Sequence, residues 1–85
     1  MKKRRNRTGF ALGEKLVFLR KERGWRQQDF AKEFSKFNEN RREYGISVVS
    51  SWEQNYRAPT MHTLVSLADF YDVSLDYLFG RSDER

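Results

Sequence analysis

Apolar side chains recur at helical spacing along most of the chain, and no stretch alternates for long as a half-buried strand would. Leu12, Leu16 and Leu19 follow i, i+4, i+7, with Val17 alongside and Lys15, Arg20, Lys21 and Glu22 on the outer face. Gly24 suits a helix stop, because glycine accepts the left-handed conformation found there. A second helix starts near Arg26 or Gln27 and carries Phe30, Ala31, Phe34 and Phe37 on one side. "SKFNENRREYGI" has no apolar period and reads as a loop with a helical extension at its start. "SVVSSWEQN" predicts a short third helix with Val49 and Trp52 on its inner side, and Asn55 ends it in the left-handed region. Pro59 blocks continuation, and Thr60 suits the N-cap of a fourth helix that buries Met61, Leu64, Leu67, Ala68 and Tyr71. Ser74 caps a short fifth helix through Leu75, Leu78 and Phe79, which Gly80 stops. The expectation is an all-α fold of five helices, with an extended connection between the second and the third.

Composition narrows what such a bundle can do. Eighty-five residues make one domain with one modest core. There is no cysteine, so disulfides and thiolate metal sites are excluded, which fits a reducing cytoplasm. No apolar run approaches the roughly 20 residues of a membrane span, and no apolar segment follows the N-terminal charges as in a secretory signal. The net charge of +5 is unevenly placed. Residues 1–9, "MKKRRNRTG", hold Lys2, Lys3, Arg4, Arg5 and Arg7 and no acid, whereas the remainder balances 12 basic against 12 acidic residues. Within that remainder, Glu14 to Arg57 holds 10 basic and 7 acidic residues, and Ala58 to Arg85 holds 2 and 5. A polyanion would be met by the first part. The organisation expected is a basic arm over residues 1–9, a folded domain over 10–81 and a tail over 82–85.

Two amphipathic helices, a connection, a short helix, a proline-bounded turn and two further helices outline a helix-turn-helix. The stretches "LRKERGWRQQDFA" (19–31), "SSWEQNYRAPT" (50–60) and "TLVSLADFYDVSLDYLFG" (63–80) sharpen the outline. Together they resemble the lambda-repressor-like, Xre/Cro-type family of bacterial and phage DNA-binding regulators, over about residues 12–80. The resemblance implies a helix around residues 46–55 lying in the major groove of a double-stranded operator, base-edge contacts near Ile46, Ser47 and Ser51, and a homodimer; with Trp52 alone set toward the core, the helical step turns Ser47, Val48 and Ser51 outward and adds Val48 to the base-contact set. It places Gln27 on phosphate at the start of the second helix, and the turn of Asn55, Tyr56 and Arg57 on the DNA backbone. Arg26, Arg41 and Arg42 are further phosphate candidates. It makes Ala31 the small residue where helices two and three cross, Val49 and Trp52 the apolar side of the recognition helix, and Glu53 the partner of Arg20. A carboxylate beside a buried indole needs such a partner, and a guanidinium offers two parallel hydrogen bonds. Serines can donate to or accept from several bases, and an aliphatic chain can pack on a thymine methyl. The implied role is a repressor of the phage or mobile-element type, in the bacterial cytoplasm at the nucleoid.

Two departures stand out. Ala31 and Val49 lie 18 positions apart, where the family's compact arrangement has about ten. Arg26 stands where helix two usually has a serine or threonine cap, which predicts a weaker end or a phosphate contact there. An enzyme is not expected: His62 is the lone histidine, and Asp69, Asp72 and Asp76 sit where capping and helix-dipole roles explain them. No cofactor or metal is implied. The competing reading is a protein-interaction module, an antitoxin or antirepressor-binding protein, with DNA binding secondary. The acidic, aromatic C-terminal surface with Phe70, Tyr71, Tyr77 and Phe79 supports it.

Overall fold

A computed structural model describes residues 12–37 and 43–85 of the chain. Among them are five helices and no strand: α1 (Leu12–Glu22), α2 (Gln27–Phe37), α3 (Ile46–Glu53), α4 (Met61–Tyr71) and α5 (Leu75–Phe79). The arm over residues 1–9 and the middle of the connection, with Arg41 and Arg42, lie outside the described residues.

The helix ends have local causes. Gly24 at φ +72° ends α1. Its N–H donates to the Lys21 carbonyl at 2.9 Å, and the Trp25 N–H donates to the Arg20 carbonyl at 3.2 Å. This bond pair consumes two carbonyls that a helix end otherwise leaves open. Asn55 does the same for α3 at φ +62°, through its own N–H to the Trp52 carbonyl (3.1 Å) and the Tyr56 N–H to the Ser51 carbonyl (2.9 Å). At the other ends, the Thr60 hydroxyl accepts from the Thr63 N–H at 3.2 Å and the Ser74 hydroxyl from the Tyr77 N–H at 3.0 Å. Both are the caps expected from the sequence.

The start of α2 is better supported than its missing hydroxyl cap suggests. The Asp29 carboxylate, three residues on from Arg26, reaches back to accept the Arg26 backbone N–H at 2.8 Å and meets its Nε at 3.3 Å. This is half of a capping box. The Arg26 N–H bond, more than the guanidinium, holds the Asp29 carboxyl below the usual carboxylate range. A depressed folded pKa means that this stabilisation is complete above the unfolded value and is lost as pH falls through the folded one. Acidification from neutrality to below pH 3.8, the ordinary value for Asp, should therefore loosen this end. Amide exchange of Arg26 followed by NMR, with Asp29→Asn as the control already loosened at pH 7, checks it.

The core joins the inner faces of all five helices. Leu16, Leu19, Phe30, Phe34, Val49, Leu67 and Leu78 are almost fully buried. A run of aromatic rings crosses it. Phe30, Phe34, Phe70 and Tyr71 pack with centroids 4.9–6.0 Å apart. Tyr44 stacks on Phe34 at 5.2 Å and meets Trp52 at 5.3 Å. Its N–H also donates to the Ser35 hydroxyl at 3.1 Å, so the long connection returns to the body at this residue. Such ring pairs add about 0.5–1.5 kcal/mol each beyond the area they bury.

Two expected core positions are not in the core. Met61 is 64% exposed. It is the first residue of α4, and helical side chains lean toward the N-terminus, so it projects past the helix end while Thr63 turns inward. Phe37, at the other extreme of α2, is 47% exposed and meets the core at the Phe70 ring.

Candidate nucleic-acid interface

The third helix has one face clamped and one face open. Val49 and Trp52 are buried, and α3 packs on both α1 and α2. Ala31 is buried on the side of α2 that borders the start of α3. Glu53, at the last position of α3, is the hub of the clamp. Its carboxylate accepts from Arg20 Nε at 2.7 Å and Nη2 at 3.1 Å, and from Gln27 Nε2 at 3.0 Å. The remaining arm of the guanidinium, Nη1, donates to the Trp25 carbonyl at 2.9 Å. The side chains of the ion pair are only 11% and 6% exposed. Arg20 thus leaves the outer face of α1, where simple periodicity puts it, and turns inward. One carboxylate ties together α1, the start of α2 and the end of α3.

A second clamp sits at the opposite end of α1. The Gly13 N–H, unpaired within its own helix, donates to Asn55 Oδ1 at 3.1 Å. The approach is close enough that a Cβ on Gly13 would lie 2.3 Å from the Glu53 carbonyl oxygen and 2.8 Å from Asn55 Nδ2. Asn55 therefore does two things that glycine cannot do together: it holds the left-handed turn and caps α1.

With Val49 and Trp52 inward, the 100° helical step puts Ser47, Ser50, Ser51 and Gln54 outward. Ile46 stands at the open end of α3, 47% exposed. The polar side chains of this face bond to one another or to α3 itself. Ser51 Oγ donates to the Ser47 carbonyl at 3.0 Å, and Gln54 Nε2 donates to Ser50 Oγ at 2.7 Å. Val48 lies on the flank, half-buried against the core. Tyr56 is 76% exposed and Arg57 is exposed in the following turn, whereas Asn55 is half-buried on Gly13. Arg26 is exposed, and Gln27 is half-buried with its amide on Glu53.

Sequence reasoning passes over Ser50, Gln54 and Gly13. The first two follow from using Val49 and Trp52 together to orient the wheel, which turns Val48 aside. Gly13 carries no local signal, because its partner Asn55 is 42 positions away. Among the described residues no three His, Asp or Glu side chains group as metal ligands. His62 is exposed in the first turn of α4. No helix of the described residues is long and apolar enough to cross a membrane.

Comparison with known proteins agrees with this arrangement. Residues 42–78 match the model of a helix-turn-helix family. The match opens at the end of the long connection and takes in α3, α4 and most of α5. The chain is also similar to the HTH-type transcriptional regulator ImmR of Bacillus subtilis (strain 168), at 33% identity over 73 residues. That alignment covers 86% of this chain and 51% of the relative, so the chain spans about half the relative's length. No solved structure matches. With its five helices and clamped third helix, the chain is thus similar to the Xre-like helix-turn-helix family.

Proposed function

We propose that the chain is a sequence-specific reader of double-stranded DNA that sets α3 in the major groove, acts as a homodimer and represses transcription. One observation carries the reading: α3 is immobilised from behind by Trp52, Val49 and the Arg20–Glu53–Gln27 cluster, while its outward side offers hydroxyls and an amide. A major groove about 12 Å wide admits one helix, and the small side chains at Ser47 and Ser51 let its axis approach the base edges closely. Ile46 supplies an aliphatic surface for a thymine methyl. Tyr56 and Arg57 offer donors to the flanking phosphates, with Arg26, Arg41 and Arg42 adding charge on the same basic part of the chain.

The homodimer is supported by what α4 leaves open. Met61 and Val65, one turn apart, are 64% and 43% exposed, an apolar pair that a second copy would cover. Repression then follows from occupancy, since a dimer spanning two half-sites blocks the DNA it covers.

Selection of bound duplexes from a random pool, at two salt concentrations, tests the reading. The expected product is an inverted repeat with half-sites about 34 Å apart. Ser47→Ala with Ser51→Ala should relax the preference at the positions these residues face and leave the melting temperature unchanged. Binding that is sequence-blind and steeply salt-dependent would overturn the proposal.

A further inference from the structure

The long connection does more than separate α2 from α3. Where it returns to the body it leaves a cleft of about 790 Å³ against the outer side of α2. Gln28, Lys32 and Lys36 line one wall, and Glu43, Gly45 and Ile46 line the other. Tyr44 at the back fixes the shape, since its ring is stacked on Phe34 and its N–H is held by Ser35.

The chemistry of this cleft favours an anion. Lys32 and Lys36 are exposed and one helical turn apart, so both ammonium groups reach the same opening. Lys32 makes no ion pair among the described residues, and Lys36 meets Glu33 at 3.6 Å. The far wall is the start of α3. Gly45 caps it without any side-chain hydrogen bond, which leaves first-turn N–H groups and the positive end of the helix dipole facing outward. Glu43 is the one carboxylate of the lining among the described residues. The cleft is also continuous with the reading face, because Ile46 belongs to both.

We propose that this cleft takes the phosphodiester backbone of the same duplex whose bases α3 faces, through Lys32 and Lys36, and so widens the footprint beside the major groove. The inference rests on the DNA-binding reading above. Two features favour DNA backbone over an acidic protein segment: the continuity with α3, and an opening whose charged groups are cations on long flexible stems, suited to point charges on a rigid rail.

The test uses the full chain and a duplex carrying its selected site, with the dissociation constant measured from low to high KCl. Lys32→Gln with Lys36→Gln should lower the salt slope by about 1.8, at roughly 0.9 for each phosphate no longer neutralised. The ratio of affinities for the selected and a scrambled duplex should stay the same, because bonds to phosphate carry no base information. Glu43→Gln should move affinity the other way, and Lys32→Arg with Lys36→Arg should keep the wild-type slope. All these side chains are exposed, so melting should not change. An unchanged slope in the glutamine variant, with selective wild-type binding intact, overturns the cleft assignment and leaves the reading of α3 standing. Absence of selective binding by the wild-type chain would instead remove the reading on which the cleft rests.

Discussion

Glu53→Ala should lower the unfolding free energy by about 3–5 kcal/mol, the usual cost of removing one member of a buried ion pair. The loss exceeds that of a single hydrogen bond because three donors are stranded at once. Arg20 would keep a guanidinium on a side chain that is only 11% exposed, and Gln27 would lose the acceptor of its amide. Small domains are stable by only about 5–15 kcal/mol, so the variant would be partly unfolded near physiological temperature. Urea unfolding should show a lower midpoint at an unchanged slope. The double variant Arg20→Leu, Glu53→Leu should be more stable than Glu53→Ala alone, since no charge is then left unpaired. A loss below about 1 kcal/mol for Glu53→Ala, the range of exposed pairs, would mean that the carboxylate is solvated and that the clamp is apolar only.

Gly13→Ala is the second large effect, and its sign is the informative part. In an open helix, alanine in place of glycine gains about 0.5–1 kcal/mol. At Gly13 the added carbon would meet a backbone carbonyl at 2.3 Å, and backbone cannot swing aside as the tip of a side chain can. Overpacking of this kind costs about 1–3 kcal/mol, occasionally more. The expected net result is a loss of about 1–2 kcal/mol, seen as a lower melting temperature. Faster exchange of the N–H at position 13 should accompany it, as the bond to Asn55 opens. A stabilised variant would show that α1 and the end of α3 stand further apart than this approach allows.

These two predictions differ in how much of them the sequence already held. The partnership of Arg20 with Glu53 was legible because both residues sit at recognisable positions in the family's pattern, and because a carboxylate next to a core indole demands compensation. The helix ends were legible for a different reason: Gly24, Asn55, Thr60, Ser74 and Gly80 act on neighbours within four or five residues. Gly13 was not legible, because its role depends on an approach between segments that only the assembled fold brings together. Met61 failed similarly. Periodicity assigns a side of a helix, but not whether the body extends far enough to cover the first turn. The outward set on α3 was partly readable; one anchor leaves the wheel uncertain by a position, and Val49 with Trp52 removes that freedom. The Asp29 bond at the start of α2 escapes a search for a hydroxyl at the cap, because the group that acts there is an acid three residues later.

The separation of duties on α3 has an evolutionary side. Ser51 bonds to the carbonyl of Ser47 and Gln54 to the hydroxyl of Ser50, so these side chains of the outward face bond within their own helix. What holds the helix in place lies on its other side, in Val49, Trp52 and Glu53. Residues at 47, 50, 51 and 54 are therefore free to drift with little effect on folding. If α3 reads DNA as proposed, a lineage carrying this scaffold acquires a new target by exchanging four side chains while the selection for a stable fold acts elsewhere.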